Sequence, residues 1–226
     1  MQKAWRIFKR TVLVLFFSHL IYMLLCKWID PPITLTQVGS VLHGYGLKRD
    51  YVNLDEMSSN IKLAVMASED QLFPEHSGFD MKSIEKAIRF NEKHPNRRRG
   101  ASTISQQVAK NVFLWQGGGF LRKGLEAYFT FMIEKLWSKR RILEMYLNVA
   151  EMGKGIFGIE AAAKAYFNKS AKNLTRAEAA KIAASLPNPK LYTVKPISRR
   201  VLERYDDIMR QMNNIEGDPD IQALIK

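Results

Sequence analysis

The sequence predicts a mainly α-helical protein preceded by one membrane-crossing helix. Three observations carry this. Beyond about residue 55, apolar residues recur every three or four positions. Period-two alternation is scarce, so strand signals are few. A long apolar run, Thr11 to Cys26, follows a basic stretch at the N-terminal end. The chain has 226 residues, 46% of them hydrophobic, which is enough for one sizeable core beside an anchor.

The elements follow in order. Lys3, Arg6, Lys9 and Arg10 form a basic tail over 1–10. The apolar run, interrupted only by Ser18 and His19, is extended by Trp28 and Ile29 to a span over 11–29, with Lys27 able to snorkel. A cleaved signal peptide is the competing reading, but no A-x-A-like site follows, and Leu25 is bulky for the position before a lipidated Cys26. Basic residues on the near flank place that end in the cytoplasm and the remainder outside, although Lys48, Arg49 and Lys62 on the far side count against this. Pro31 and Pro32 open an extended linker over 30–54.

Helical spacing then dominates 55–226. Ile61, Val65 and Ser68 begin one helix, and Met81, Ile84 and Ile88 mark the next. Leu121, Leu125, Tyr128, Phe129, Met132, Ile133 and Leu136 form a long stripe, which Ile142, Met145, Tyr146 and Val149 continue. Thr175 and Glu178 make a capping box for a helix over Arg176–Leu186 that Pro187 ends. Ser198 is placed to cap a last long helix with Val201, Tyr205, Ile208, Met209 and Met212 on one face. Two segments read as loops, Asn96–Gly100 and Gln116–Gly119, and they flank a stretch, Ala101–Trp115, that is free to move as a unit.

The formal charge of +13 draws polyanions: nucleic acid, anionic lipid or a phosphorylated substrate. No aromatic interleaving or helix-turn-helix signal supports nucleic acid. One cysteine excludes an internal disulfide. The four histidines lack metal-ligand spacing. Gly153–Gly158 matches G-x-G-x-x-G, but a helix rather than a strand precedes it, so it reads as a tight interhelical turn. Ser59-Asn60-Ile61-Lys62 matches S-x-x-K without any K-T-G partner, so Ser59 reads as a helix cap.

The carboxylates say more. Glu69 and Asp70 stand where an apolar helix runs out, followed by His76 and Gly78; an acid at a helix C-terminus is electrostatically disfavoured. Glu126 lies four residues beyond Arg122, an ordinary helical ion-pair spacing. Between them, Gln106, Gln107, Lys110 and Asn111 make an unusually polar helix, suited to a sugar and a phosphate or to a solvated face.

These segments together resemble the peptidoglycan glycosyltransferases of glycosyltransferase family 51, in their monofunctional form. The resemblance covers about 60–192 and rests on five motifs in the family's order. The first runs from Glu69-Asp70 through Phe73 and His76 to Gly78-Phe79-Asp80. The second is Gly100-x-Ser102-Thr103-Ile104-x-Gln106-Gln107-x-x-Lys110-Asn111, with Ala101 and Ser105 departing from the usual Gly and Thr. Arg122-Lys123-x-x-Glu126 with Glu134 is the third. Ile142-x-Glu144-x-Tyr146-x-Asn148, continuing to Tyr166-Phe167, is the fourth. Leu174-x-x-x-Glu178-Ala179-Ala180, continuing to Tyr192, is the fifth.

The resemblance implies a lysozyme-like large lobe and a smaller, mobile, membrane-proximal lobe. It implies polymerisation of lipid II into glycan strands, with inversion at the anomeric carbon and release of polyprenyl pyrophosphate. Glu69 would be the general base. Glu126 would organise the donor's phosphate end, directly or through a divalent cation (Mg or Mn), with no cofactor otherwise required. Asp70, His76, Ser102, Thr103, Gln106, Gln107, Lys110, Asn111, Arg122 and Lys123 would bind substrate. The expected setting is a bacterial inner membrane with the catalytic domain periplasmic. The expected partners are lipid II, the growing strand and the membrane, with transpeptidases and division or elongation proteins beside them and no nucleic acid. Ile104, Val108, Val112, Phe113, Leu114, Trp115 and Phe120 would either enter the bilayer interface or pack in the core. A lytic enzyme that cuts glycan and a non-catalytic wall scaffold are the rival readings.

Overall fold

The computed structural model describes residues 2–95 and 99–226. Of the expected loop Asn96–Gly100, residues 96–98 lie outside the described residues. The chain forms two compact units, 1–32 and 33–226. The first holds helix α1, Gln2–Leu25, apolar and long enough to cross a membrane.

The second unit is mainly helical. Its helices are α2 (Leu35–Leu42), α3 (Ser59–Glu69), α4 (Met81–Lys93), α5 (Ile104–Phe113), α6 (Phe120–Leu136), α7 (Lys139–Val149), α8 (Ile159–Phe167), α9 (Arg176–Ser185), α10 (Arg199–Ile215) and α11 (Pro219–Ile225). A small sheet is ordered β1 (Lys48–Arg49), β3 (Ile156–Phe157), β2 (Glu151–Gly153), with β1 parallel and β2 antiparallel to β3.

Helix α3 is the centre of the core. Every residue from Ile61 to Ala67 is buried, all apolar except Lys62, whose ammonium donates to the Ile225 carbonyl at 3.2 Å. It packs against α9, α10 and α11, while α5 packs against α6 and α7. Small side chains on α9 (Ala179, Ala180, Ala183, Ala184), all fully buried, let it approach α3 closely.

Four readings change. The segment expected to be an extended linker contains α2, started by a capping box in which Thr34 and Gln37 each accept from the other's backbone N–H. Gln37 there also donates to the Tyr51 hydroxyl at 3.0 Å, which ties the helix to the chain that follows. The helix cap expected of Ser59 is made by Ser58 one residue earlier, which accepts from Asn60 N–H. The glycine-rich turn between α7 and α8 is the β2–β3 hairpin. There Gly155 has φ +71° against the Tyr45 carbonyl and Gly158 has φ +82° against that of Asn148, so neither position has space for a Cβ. Finally, the apolar stripe of α6 is largely not core. Ile133 is buried, but Leu121 is 78% exposed, and Phe120 just before it is 98% exposed.

The alternatives for Ile104–Phe120 divide by residue. Ile104, Val108, Val112 and Leu114 are buried, whereas Trp115 and Phe120 face outward. Helix α4 has no buried residue.

Candidate active site

Glu69 is the last residue of α3, and Asp70 is its C-cap. The buried helix carries the carboxylate into the wall of a cleft of about 870 Å³. Its lining includes Ser68, Glu69, Ser102, Gln107, Lys110 and Arg204. Gln107 Nε2 donates to Glu69 Oε2 at 3.0 Å, and the Ser68 hydroxyl donates to Oε1 at 3.2 Å. Tyr146, fully buried, reaches Gln107 Oε1 at 3.4 Å, which fixes the amide so that its NH₂ group faces the acid. Burial pushes the Glu69 carboxyl up and the adjacent Asp70 charge adds to it, while Gln107, Arg204 and Ser68 oppose the shift. Each carboxylate oxygen has two lone pairs, so Glu69 can still accept a proton.

Asp70, which also lines the cleft, is bonded to His76. The Gly78 N–H donates to His76 Nδ1, so the ring proton sits on Nε2 and is given to Asp70 Oδ1 at 2.9 Å. Asp70 Oδ2 also accepts the Ile104 N–H at 2.9 Å, which sets a negative charge at the N-terminal end of α5. Both oxygens are engaged within the protein. Thr103 and Gln106, expected at the substrate, form the capping box of α5: Thr103 accepts the Gln106 N–H, and Gln106 accepts the Thr103 N–H. The Thr103 hydroxyl donates to the Gly78 carbonyl at 2.7 Å. Asn111 is buried and accepts from Gln116 at 3.3 Å. The polar face of α5 is therefore split. Gln107 and Lys110, three residues apart, share the cleft side. Gln106 and Asn111 lie off the cleft and hold the helix in place, Thr103 both caps the helix and lines the cleft, and Ser102 stands exposed at the cleft wall.

Lys110 has no hydrogen-bond acceptor or ion-pair partner among the described residues. Burial lowers the pKa of its ammonium. Glu126 pulls it back up, Arg122 and Lys123 push it further down, and Glu69 raises it weakly. Lys110 is thus within the field of both proposed acids.

Glu126 itself does not line the cleft. It is buried on α6, paired with Arg122 Nη1 at 2.7 Å and with Lys123. A buried carboxylate between two cations is a charge-organising arrangement. With both oxygens so engaged, and with no group of three metal-ligating side chains among the described residues, Glu126 does not fit as a protein-held metal site. Arg204, on α10, was not among the expected site residues. Its long separation from the motifs left no local signal.

Comparison with known proteins gives a consistent result. The family model for transglycosylases matches residues 36–213. A biosynthetic peptidoglycan transglycosylase of Shigella boydii serotype 4 is 55% identical over 189 residues, covering 82% of this chain and 78% of the relative. A biosynthetic peptidoglycan transglycosylase of Escherichia coli strain K12 / DH10B matches to the same extent.

Proposed function

The chain belongs to the transglycosylase family, and from that premise we propose that it extends glycan strands from lipid II at a membrane surface. It is a glycosyltransferase with the mainly helical, lysozyme-like fold of that family. The observation that carries the mechanism is Glu69, a carboxylate in the cleft wall beside Lys110, which has no ion-pair partner among the described residues.

In this reading Glu69 takes the proton from the attacking sugar 4-hydroxyl as that oxygen bonds to the anomeric carbon. The bond from that carbon to the pyrophosphate oxygen breaks, and the electron pair leaves with polyprenyl pyrophosphate. Lys110 offsets the growing negative charge, and Arg122 and Lys123, held by Glu126, extend the positive field toward the phosphates. Asp70, His76, Thr103 and Gln106 act indirectly by fixing where α5 begins.

The lipid tail of the precursor stays in the bilayer, so the cleft must work beside it. Helix α1 provides the anchor, with its basic end in the cytoplasm and 33–226 outside the bacterial inner membrane. Exposed Trp115, Phe120 and Leu121 add an apolar contact. The test is product size. Supplied with lipid II, the protein should yield strands longer than the precursor; shortened fragments from finished wall, with no polymer from the precursor, would place it among lytic enzymes instead.

A further inference from the structure

Arg204 enters the site from α10, which packs on α3 and α9. Its Nη2 donates to the Ser68 hydroxyl at 3.0 Å and stands 4.0 Å from Glu69 Oε1. The second distance is too long for a hydrogen bond, so the guanidinium acts on the acid by charge and through the serine. Ser68 has one hydroxyl hydrogen and two acceptors in reach, Glu69 Oε1 at 3.2 Å and the Ala183 carbonyl at 3.3 Å. By filling a lone pair of Ser68, Arg204 fixes that hydroxyl as a donor. Glu69 is the acid with which Arg204 forms an ion pair.

We propose that Arg204 is a positioning residue for Glu69: through Ser68 it fixes the carboxylate's orientation, and its charge keeps that carboxylate able to accept a proton inside the cleft. The proposal rests on reading Glu69 as the base. The charged and titratable groups that face Glu69 are Asp70 beside it, Arg204 from α10, Lys110 from α5 and the Tyr146 phenol from α7. From α9 comes the neutral Ala183 carbonyl, and Gln107 and Ser68 complete the neutral donors. Arg204 is the cation nearest the carboxylate, and it opposes the upward shift that burial imposes. Without it the acid would hold its proton to higher pH, and less of the enzyme would be competent at neutrality.

The test is the pH dependence of kcat/KM for precursor polymerisation by the full chain, comparing wild type, R204Q, R204K and E69Q. Proper folding of each variant is checked by circular dichroism and melting. R204Q should move the acid limb upward by about one pH unit, a loss of about tenfold on that limb. R204K keeps the charge without the fork, so its acid limb should stay near that of wild type while kcat falls. An R204Q acid limb at the wild-type position, with E69Q inactive, overturns the role of Arg204 alone. If R204Q does not fold, R204K decides: wild-type kcat and acid limb together overturn the proposal. Turnover by E69Q would instead remove the base, and this proposal with it.

Discussion

Glu69 combines two features that disfavour a carboxylate's charge: it ends a helix, and it is largely withdrawn from solvent. Its raised pKa means that the folded protein binds that proton more readily than the unfolded chain. Stability is therefore lost as pH rises from the ordinary carboxylate range through the folded pKa. E69Q should raise the melting temperature of the detergent-solubilised protein at neutral pH by about 2–4 °C. The gain should vanish in acid, and a lower melting temperature at neutral pH would contradict it. Lys110 behaves oppositely, since burial lowers its pKa, so polymerisation should fail on the basic side below the usual lysine range. K110A should cut kcat about 10²-fold. K110R, whose charge persists, should keep turnover on the basic side that wild type loses. A K110A rate equal to wild type at saturating precursor would show that the phosphate charge is met elsewhere.

At the scale of elements, the site depends on where α5 starts. Thr103 caps it, Asp70 accepts its first N–H, and Gly78 meets the Thr103 hydroxyl. Gly78 has φ +90°, and a Cβ there would come 2.8 Å from Thr130 Cγ2. T103A should cost about 1–2 kcal/mol in denaturant titration and T103S most of nothing; an unchanged midpoint for T103A would contradict the capping assignment. This is also where the sequence was least readable. Thr175 and Glu178 announced a capping box beside an apolar run, and α9 begins there. Thr103 and Gln106 carry the same three-residue spacing, but the family resemblance pointed to substrate binding and the capping box they form was not read. A hydroxyl and an amide serve a backbone and a sugar equally well, so residue type alone does not separate the two uses. Arg204 was illegible for another reason: helix periodicity reports the buried face of α10, and Arg204 lies beside that face rather than on it.

For the whole molecule, composition and periodicity gave the helical class, the anchor helix and the core of α3. They missed α2 within 30–54, because Pro31 and Pro32 signal a break but not how soon the next helix follows. The same signals left the face of α5 and the loop after it undivided; burial assigns Val108 to the core and Phe120 to the surface. Changing Trp115, Phe120 and Leu121 to serine should reduce turnover of bilayer-embedded precursor more than that of detergent-dispersed precursor. Equal losses in both would remove the interfacial contact from the account. The central claim is proton transfer to one carboxylate, and the most direct measurement is lipid II polymerisation by full-length E69Q alongside its affinity for the precursor. E69Q should bind the precursor about as well as wild type and form no strand, whereas strands made at a rate near that of wild type would show that Glu69 is not the base.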